Sequence, residues 1–152
     1  MRRPFVMAWL LCGSLDILYA AATSLVAGHG PLAMLRAVAS GPFGDAARAW
    51  GLAGSVLGLL VHFAIMAAMV AAGFWLARQT PLGEIAPWKA GTLYGLVLYG
   101  VMAGVVLHLR FGTEFPSPDK LKLANELFPH VFLVGMPIFY LARRAMNTSP
   151  SA

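Results

Sequence analysis

Four stretches of the chain are almost free of charge, and segments rich in glycine, proline and charged residues separate them. The first is Phe5–Ala27, interrupted only by Asp16. The second, Leu52–Ala77, and the third, Ala90–Leu109, contain no Asp, Glu, Lys or Arg. The fourth, Leu127–Ala142, is shorter and reaches spanning length by starting near Ala124 or by local thinning of the bilayer. An apolar run of about 20 residues can cross a bilayer as a helix, with its backbone hydrogen bonds closed internally. The pattern therefore predicts an all-α membrane protein. Residues 1–152 form one domain, a four-transmembrane-helix bundle with spans at about 5–27, 52–77, 90–109 and 124–142.

The connections differ in length. Arg78–Lys89, with Pro81, Gly83 and Pro87, reads as a tight turn. The other two are longer, and each carries the signal of a short interfacial helix. Gly30-Pro31 fits a helix start, and Gly41-Pro42-Phe43-Gly44 a stop. In Ser117-Pro118-Asp119-Lys120, serine suits an N-cap and Pro118 a first turn. The chain thus reads as two helical hairpins with long outer connections, a weak sign of internal duplication.

Composition supports a lipid environment. Hydrophobic residues make up 59% and charged residues 11%, against roughly 45–50% and about 25% in soluble domains. The mean hydropathy is +0.73. The net charge of +5 comes from Lys and Arg at the ends of apolar runs, without a basic stripe, which argues against nucleic acid and for headgroup contact. With an even number of spans, both termini share one side. Arg2, Arg3, Arg78, Lys89, Arg143 and Arg144 all flank span ends in short segments, so we expect the termini to be cytoplasmic and the protein to lie multi-pass in a bacterial inner membrane. The basic start and Ala20-Ala21-Ala22 resemble a signal peptide, but the apolar run is long and Asp16 interrupts it; we expect it to be retained. Trp9, Trp50, Trp75, Trp88 and Tyr140 lie toward run ends, as interface anchors do. Cys12 is expected to be a small buried side chain.

Few residues carry candidate chemistry. Ionisable groups inside a membrane are costly and seek partners in the bundle interior. Asp16 and His62 lie near mid-depth and are expected to meet, either as a packing hydrogen bond or as part of a proton relay. Gly54, Gly58 and His62 follow at intervals of four, as do Gly100, Gly104 and His108. Each histidine therefore ends a stripe that should pack against another helix and not face lipid. Gly91 and Gly95 form a further patch. His108 and His130, with Glu126, Glu114 and His29, fall near one surface and could offer ligands to a metal or haem, although no His-x-x-x-His pair is present. Pro137 predicts a kink in the fourth span. No nucleophile triad, phosphate loop, CxxC or paired carboxylate occurs, so no catalytic residue and no enzymatic activity is expected. No metal site is assigned, and the cofactor stays unknown. The expected partners are the bilayer and either a second copy or another membrane protein.

Three stretches resemble the YagU-type family of small bacterial inner-membrane proteins. They are Leu60-Val61-His62-Phe63-Ala64-Ile65, Trp88-Lys89-Ala90-Gly91-Thr92-Leu93-Tyr94-Gly95, and Asn125-Glu126-Leu127-Phe128-Pro129-His130-Val131 with the closing Ala142-Arg143-Arg144. The resemblance covers the C-terminal two-thirds; the first span and its loop match less well. It implies an integral membrane protein associated with tolerance of acid stress. The rivals are a small proton-coupled transporter using Asp16 and His62, and a haem- or metal-binding membrane protein using His108 and His130.

Overall fold

A computed structural model describes residues 2–147. The domain expected over 1–152 runs past the described residues at both ends. The described chain is all-helical. In order it forms α1 (Arg2–Val26), α2 (Pro31–Phe43), a 3₁₀ turn (Asp45–Ala49), α3 (Gly51–Gln79), a second 3₁₀ turn (Pro81–Gly83), α4 (Pro87–Val101), a π-segment (Met102–Leu107), α5 (His108–Phe111), α6 (Lys120–Phe128), a second π-segment (Pro129–Gly135) and α7 (Met136–Asn147). α4, the first π-segment and α5 run on as one helix, Pro87–Phe111. α6, the second π-segment and α7 form another unbroken helical rod, residues 120–147.

Three helices are long and apolar enough to cross a membrane: Arg2–Val26, Gly51–Gln79 and Pro87–Phe111, of 25, 29 and 25 residues. At about 1.5 Å per residue each exceeds the roughly 30 Å hydrocarbon core. Only 17%, 22% and 39% of their most apolar windows is buried within the protein. The remainder turns side chains such as Leu18, Leu52 and Leu109 outward, a surface that only lipid or another apolar partner covers without cost. The rod 120–147 is not among the three. Asn125 and Glu126 interrupt it, and Lys120, Lys122, Arg143 and Arg144 lie toward its ends.

The core lies where α1, α3, α4 and α7 meet, around Cys12, Val70, Tyr94, Ile138 and Phe139. Cys12 is buried, with its thiol directed at the Val134 carbonyl. The Tyr94 hydroxyl donates to the Met69 carbonyl at 2.6 Å and ties α4 to α3. Arg143 donates to the carbonyls of Gly83 and Ile85 and braces the short turn from α7.

Glycines set the closest approaches. A Cβ at Gly91 would lie 2.5 Å from Met136 Cα, and one at Gly95 would lie 2.5 Å from the His130 carbonyl oxygen. Gly135 abuts the Gly91 carbonyl in return. α4 therefore crosses the second π-segment backbone to backbone, the contact that small residues permit between membrane helices. Gly54 and Gly58 also serve a seam, against the Ala47 and Leu35 carbonyls. Their partners are the first 3₁₀ turn and α2, not another long helix.

Several expectations need correction. Gly100 has no neighbour within 4 Å of where its Cβ would stand, and Gly104 faces the Phe115 ring. That stripe makes no helix–helix seam, because Gly104 sits inside the π-segment Met102–Leu107. A π turn takes an extra residue, so the i, i+4 register that would align Gly100, Gly104 and His108 is lost. The Trp9 indole N–H donates to the Phe63 carbonyl at 2.7 Å and links α1 to α3. The stop expected at Gly41-Pro42-Phe43-Gly44, by contrast, is present: α2 ends at Phe43 and the chain turns at Gly44, where φ is 81°. Near that end the Gly41 carbonyl and the Ser40 carbonyl, which also accepts from the Gly44 amide, take hydrogen bonds from Arg110, adding partners where a helix end leaves carbonyls free. α6 is capped by Asp119, not Ser117. The Asp119 carboxylate accepts from the amides of Leu121 and Lys122, and its charge also suits the helix N-terminus. The Ser117 hydroxyl is buried without a hydrogen-bond partner among the described residues. Pro137 stands two residues after a π-segment ends; the wider turn already loosens the hydrogen-bond ladder that a proline interrupts.

The backbone crossing is testable in detergent melts. Gly95→Val should lower stability by about 1–3 kcal/mol through overpacking. Gly100→Ala, with open space at its Cβ, should stay within about 0.5 kcal/mol of wild type. Equal losses in the two variants would contradict the tight crossing.

Candidate functional site

The polar residues inside the bundle converge on one cavity. α1 supplies Asp16, and Gly13 lies on the same helix face, three residues before it. α3 supplies His62, 9% exposed, one turn beyond the Gly58 contact with α2. The expected pairing of the two is present: His62 Nδ1 lies 3.9 Å from an Asp16 carboxylate oxygen. His62 Nε2 lies 2.9 Å from the Gly13 carbonyl oxygen. A carbonyl only accepts, so Nε2 carries the hydrogen and donates.

That assignment constrains the pair. A neutral imidazole bears one hydrogen, and here the backbone has claimed it. Nδ1 then faces the carboxylate with a lone pair, and two lone-pair faces repel. Attraction requires one more proton, either on Nδ1 or on the Asp16 carboxyl. At 3.9 Å the contact is electrostatic and longer than a direct hydrogen bond.

His130 joins this pair and not His108. It enters from the second π-segment, where Pro129 contributes no N–H. Its Nδ1 donates to the Glu126 carbonyl at 2.7 Å. The ring packs edge-on to Tyr99, with centroids 5.9 Å apart. The Tyr99 hydroxyl in turn donates to the Glu126 carboxylate at 3.5 Å. Both Glu126 and His130 are thus engaged at the edge of the site.

Asp16, His62 and His130 line a cavity of about 200 Å³. At roughly 30 Å³ per molecule in the liquid, it has room for several waters. Its other walls are apolar and include Met34, Met66, Met69 and Met102. A carboxyl and two imidazoles around a water-sized space, within an otherwise oily bundle, can bind a proton and hand it between groups.

The other expected ligands do not assemble. His108 is exposed, and its Nδ1 bonds the Thr113 carbonyl at 2.7 Å. His29 and Glu114 are exposed in connecting segments. Among the described residues, no group of three or more His, Cys, Asp or Glu is arranged to hold a metal ion. His108 and His130 do not meet: one is exposed on α5 and the other lines the cavity from the second π-segment.

Three parts of the site carry no signal in side-chain chemistry. The Gly13 carbonyl is a backbone group. Met34 and Val38 arrive from α2, read above as a surface helix. His130 is redirected by the π turn, for which the flanking Pro129 and Pro137 are the available sign.

No family model, curated protein or solved structure matches the chain.

If Asp16 and His62 interact as described, Asp16→Asn and His62→Gln will be non-additive. The coupling should be about 0.6–1.7 kcal/mol, the range of polar contacts between membrane helices. A double-mutant cycle in unfolding measurements reads it, and strict additivity would remove the pair from the bundle's interior.

Proposed function

We propose that the chain is a bacterial inner-membrane protein that serves acid-stress homeostasis through reversible proton occupancy of Asp16, His62 and His130, without enzymatic turnover. One observation carries this reading. The Gly13 carbonyl takes the Nε2 hydrogen of His62, so the contact between Nδ1 and Asp16 needs a further proton. Histidine is the side chain whose ordinary titration falls nearest neutral pH. The resemblance to the YagU-type family points the same way.

The topology proposed with it has four spans, the rod 120–147 being the fourth, and both termini in the cytoplasm. The packing of α7 against α1, α3 and α4 supports the fourth span. So does the crossing at Gly91 and Gly95, since a helix in backbone contact with a span shares its depth over that stretch.

A proton-coupled carrier is the second reading. It is favoured by a larger cavity that shares Met34, Val38, Ile65, Met102 and Leu107 with the proton site. Such an arrangement places a solute space beside a titrating cluster.

Two measurements test these readings. In a null strain, wild-type protein should restore survival of an acid challenge and Asp16→Asn should not; full rescue by Asp16→Asn rejects the proton site. In proteoliposomes, the carrier reading requires proton flux that Asp16→Asn abolishes, and equal flux in both proteins rejects it. Topology is accessible because the native Cys12 is buried and slow to label. Lys122→Cys should react with an impermeant maleimide from outside, and Asn147→Cys only after permeabilisation. Labelling of both from one side would exclude a fourth span.

A further inference from the structure

A second cavity, of about 650 Å³, lies between α2, α3 and the π end of the Pro87–Phe111 helix. Its size is within the roughly 300–1,000 Å³ of ligand sites. Ala37, Val38, Val61, Ile65 and Val106 give it an apolar wall, and Arg48 and Arg110 stand at its polar end. In a membrane-crossing segment, the apolar material at hand is an acyl chain.

The two arginines are placed differently. Arg110 spends Nε on the Gly41 carbonyl at 3.0 Å, and Nη2 on the Ser40 carbonyl and Asp45, both at 2.9 Å. Its Nη1 has no hydrogen-bond partner among the described residues. Arg48 makes one ionic contact, Nε to Asp45 at 3.8 Å, which leaves both terminal nitrogens open. The two guanidinium carbons lie 5.6 and 4.9 Å from the centre of the Phe111 ring, Arg48 and Arg110 respectively. Both cations pack on the Phe111 ring, and both contact the same Asp45 carboxylate oxygen, which keeps them near one another. With Asp45 as the acid in contact, the cluster of two cations and one anion keeps one positive charge. Guanidinium edges match phosphate oxygens in geometry as well as sign.

We propose that this cavity binds an anionic glycerophospholipid, with one acyl chain between α2, α3 and the π-segment and its phosphate on Arg48 and Arg110. The net positive charge favours a headgroup such as phosphatidylglycerol over zwitterionic phosphatidylcholine. The site uses none of Asp16, His62 or His130, so it stands or falls separately from the proton reading.

The test is lipid binding to the purified full chain by native mass spectrometry, with thermal melts as a second readout. Phosphatidylglycerol should bind at least tenfold more tightly than phosphatidylcholine and raise the melting temperature. Arg48→Gln should remove that preference, and Val61→Trp should weaken binding of either lipid by filling the chain site. Lys122→Gln, a charge outside the cavity, should change neither. Arg48 is chosen over Arg110 because Arg110 also closes the end of α2. If Val61→Trp does not fold, Ala37→Leu plugs the same wall with less volume. Equal binding of the two lipids, an unchanged preference in Arg48→Gln, or a cavity plug without effect would each overturn the proposal.

Discussion

The crossing of α4 with the second π-segment governs the rest of the molecule. At Gly91, Gly95 and Gly135 no side chain separates the two backbones. In lipid, helices gain little from hydrophobic association, so close van der Waals contact takes over that role. The crossing sits beside His130, whose carbonyl oxygen lies against Gly95. It therefore sets the depth and rotation at which the imidazole enters the bundle. The second glycine seam, Gly54 against the first 3₁₀ turn and Gly58 against α2, does the same for His62 one turn further along α3. Small residues that carry no chemistry thus position the two imidazoles that do.

The resulting site is under strict hydrogen-bond accounting. A buried polar group without a partner is costly; His62 bonds the Gly13 carbonyl, His130 the Glu126 carbonyl and Tyr99 the Glu126 carboxylate, while Asp16 meets His62 through an electrostatic contact at 3.9 Å. The backbone occupies one nitrogen of each histidine and so fixes which nitrogen faces the cavity. This is how a scaffold orients an imidazole through its backbone alone. Among the described residues, Asp16 is the carboxyl that lines the cavity with both histidines, and it lies toward the middle of a helix long enough to span.

Legibility from sequence varied with the kind of interaction. The Asp16–His62 pair could be read because intramembrane ionisable groups seek each other, and both sit at similar depth along their runs. The Gly54–Gly58 and Gly91–Gly95 patches could be read as close-packing faces, although their partners could not. Gly100–Gly104 was misleading, since a single π turn breaks the register on which any i, i+4 reading rests. His108 and His130 were read as neighbours from their places along the chain. One ended exposed and the other turned inward, a distinction of helix rotation that linear position does not encode.

What the sequence determined alone is the medium and the material: long uncharged runs that must close their backbone hydrogen bonds as helices, and a sparse set of polar groups inside them. Those follow from local transfer energetics, which depend on residue type and run length. Which helix meets which, that α2 folds in to wall two cavities, and that His130 joins Asp16 and His62 were decided by tertiary contact. These outcomes rest on backbone-to-backbone fit and on one extra residue per π turn, quantities that exist only once two helices are in contact.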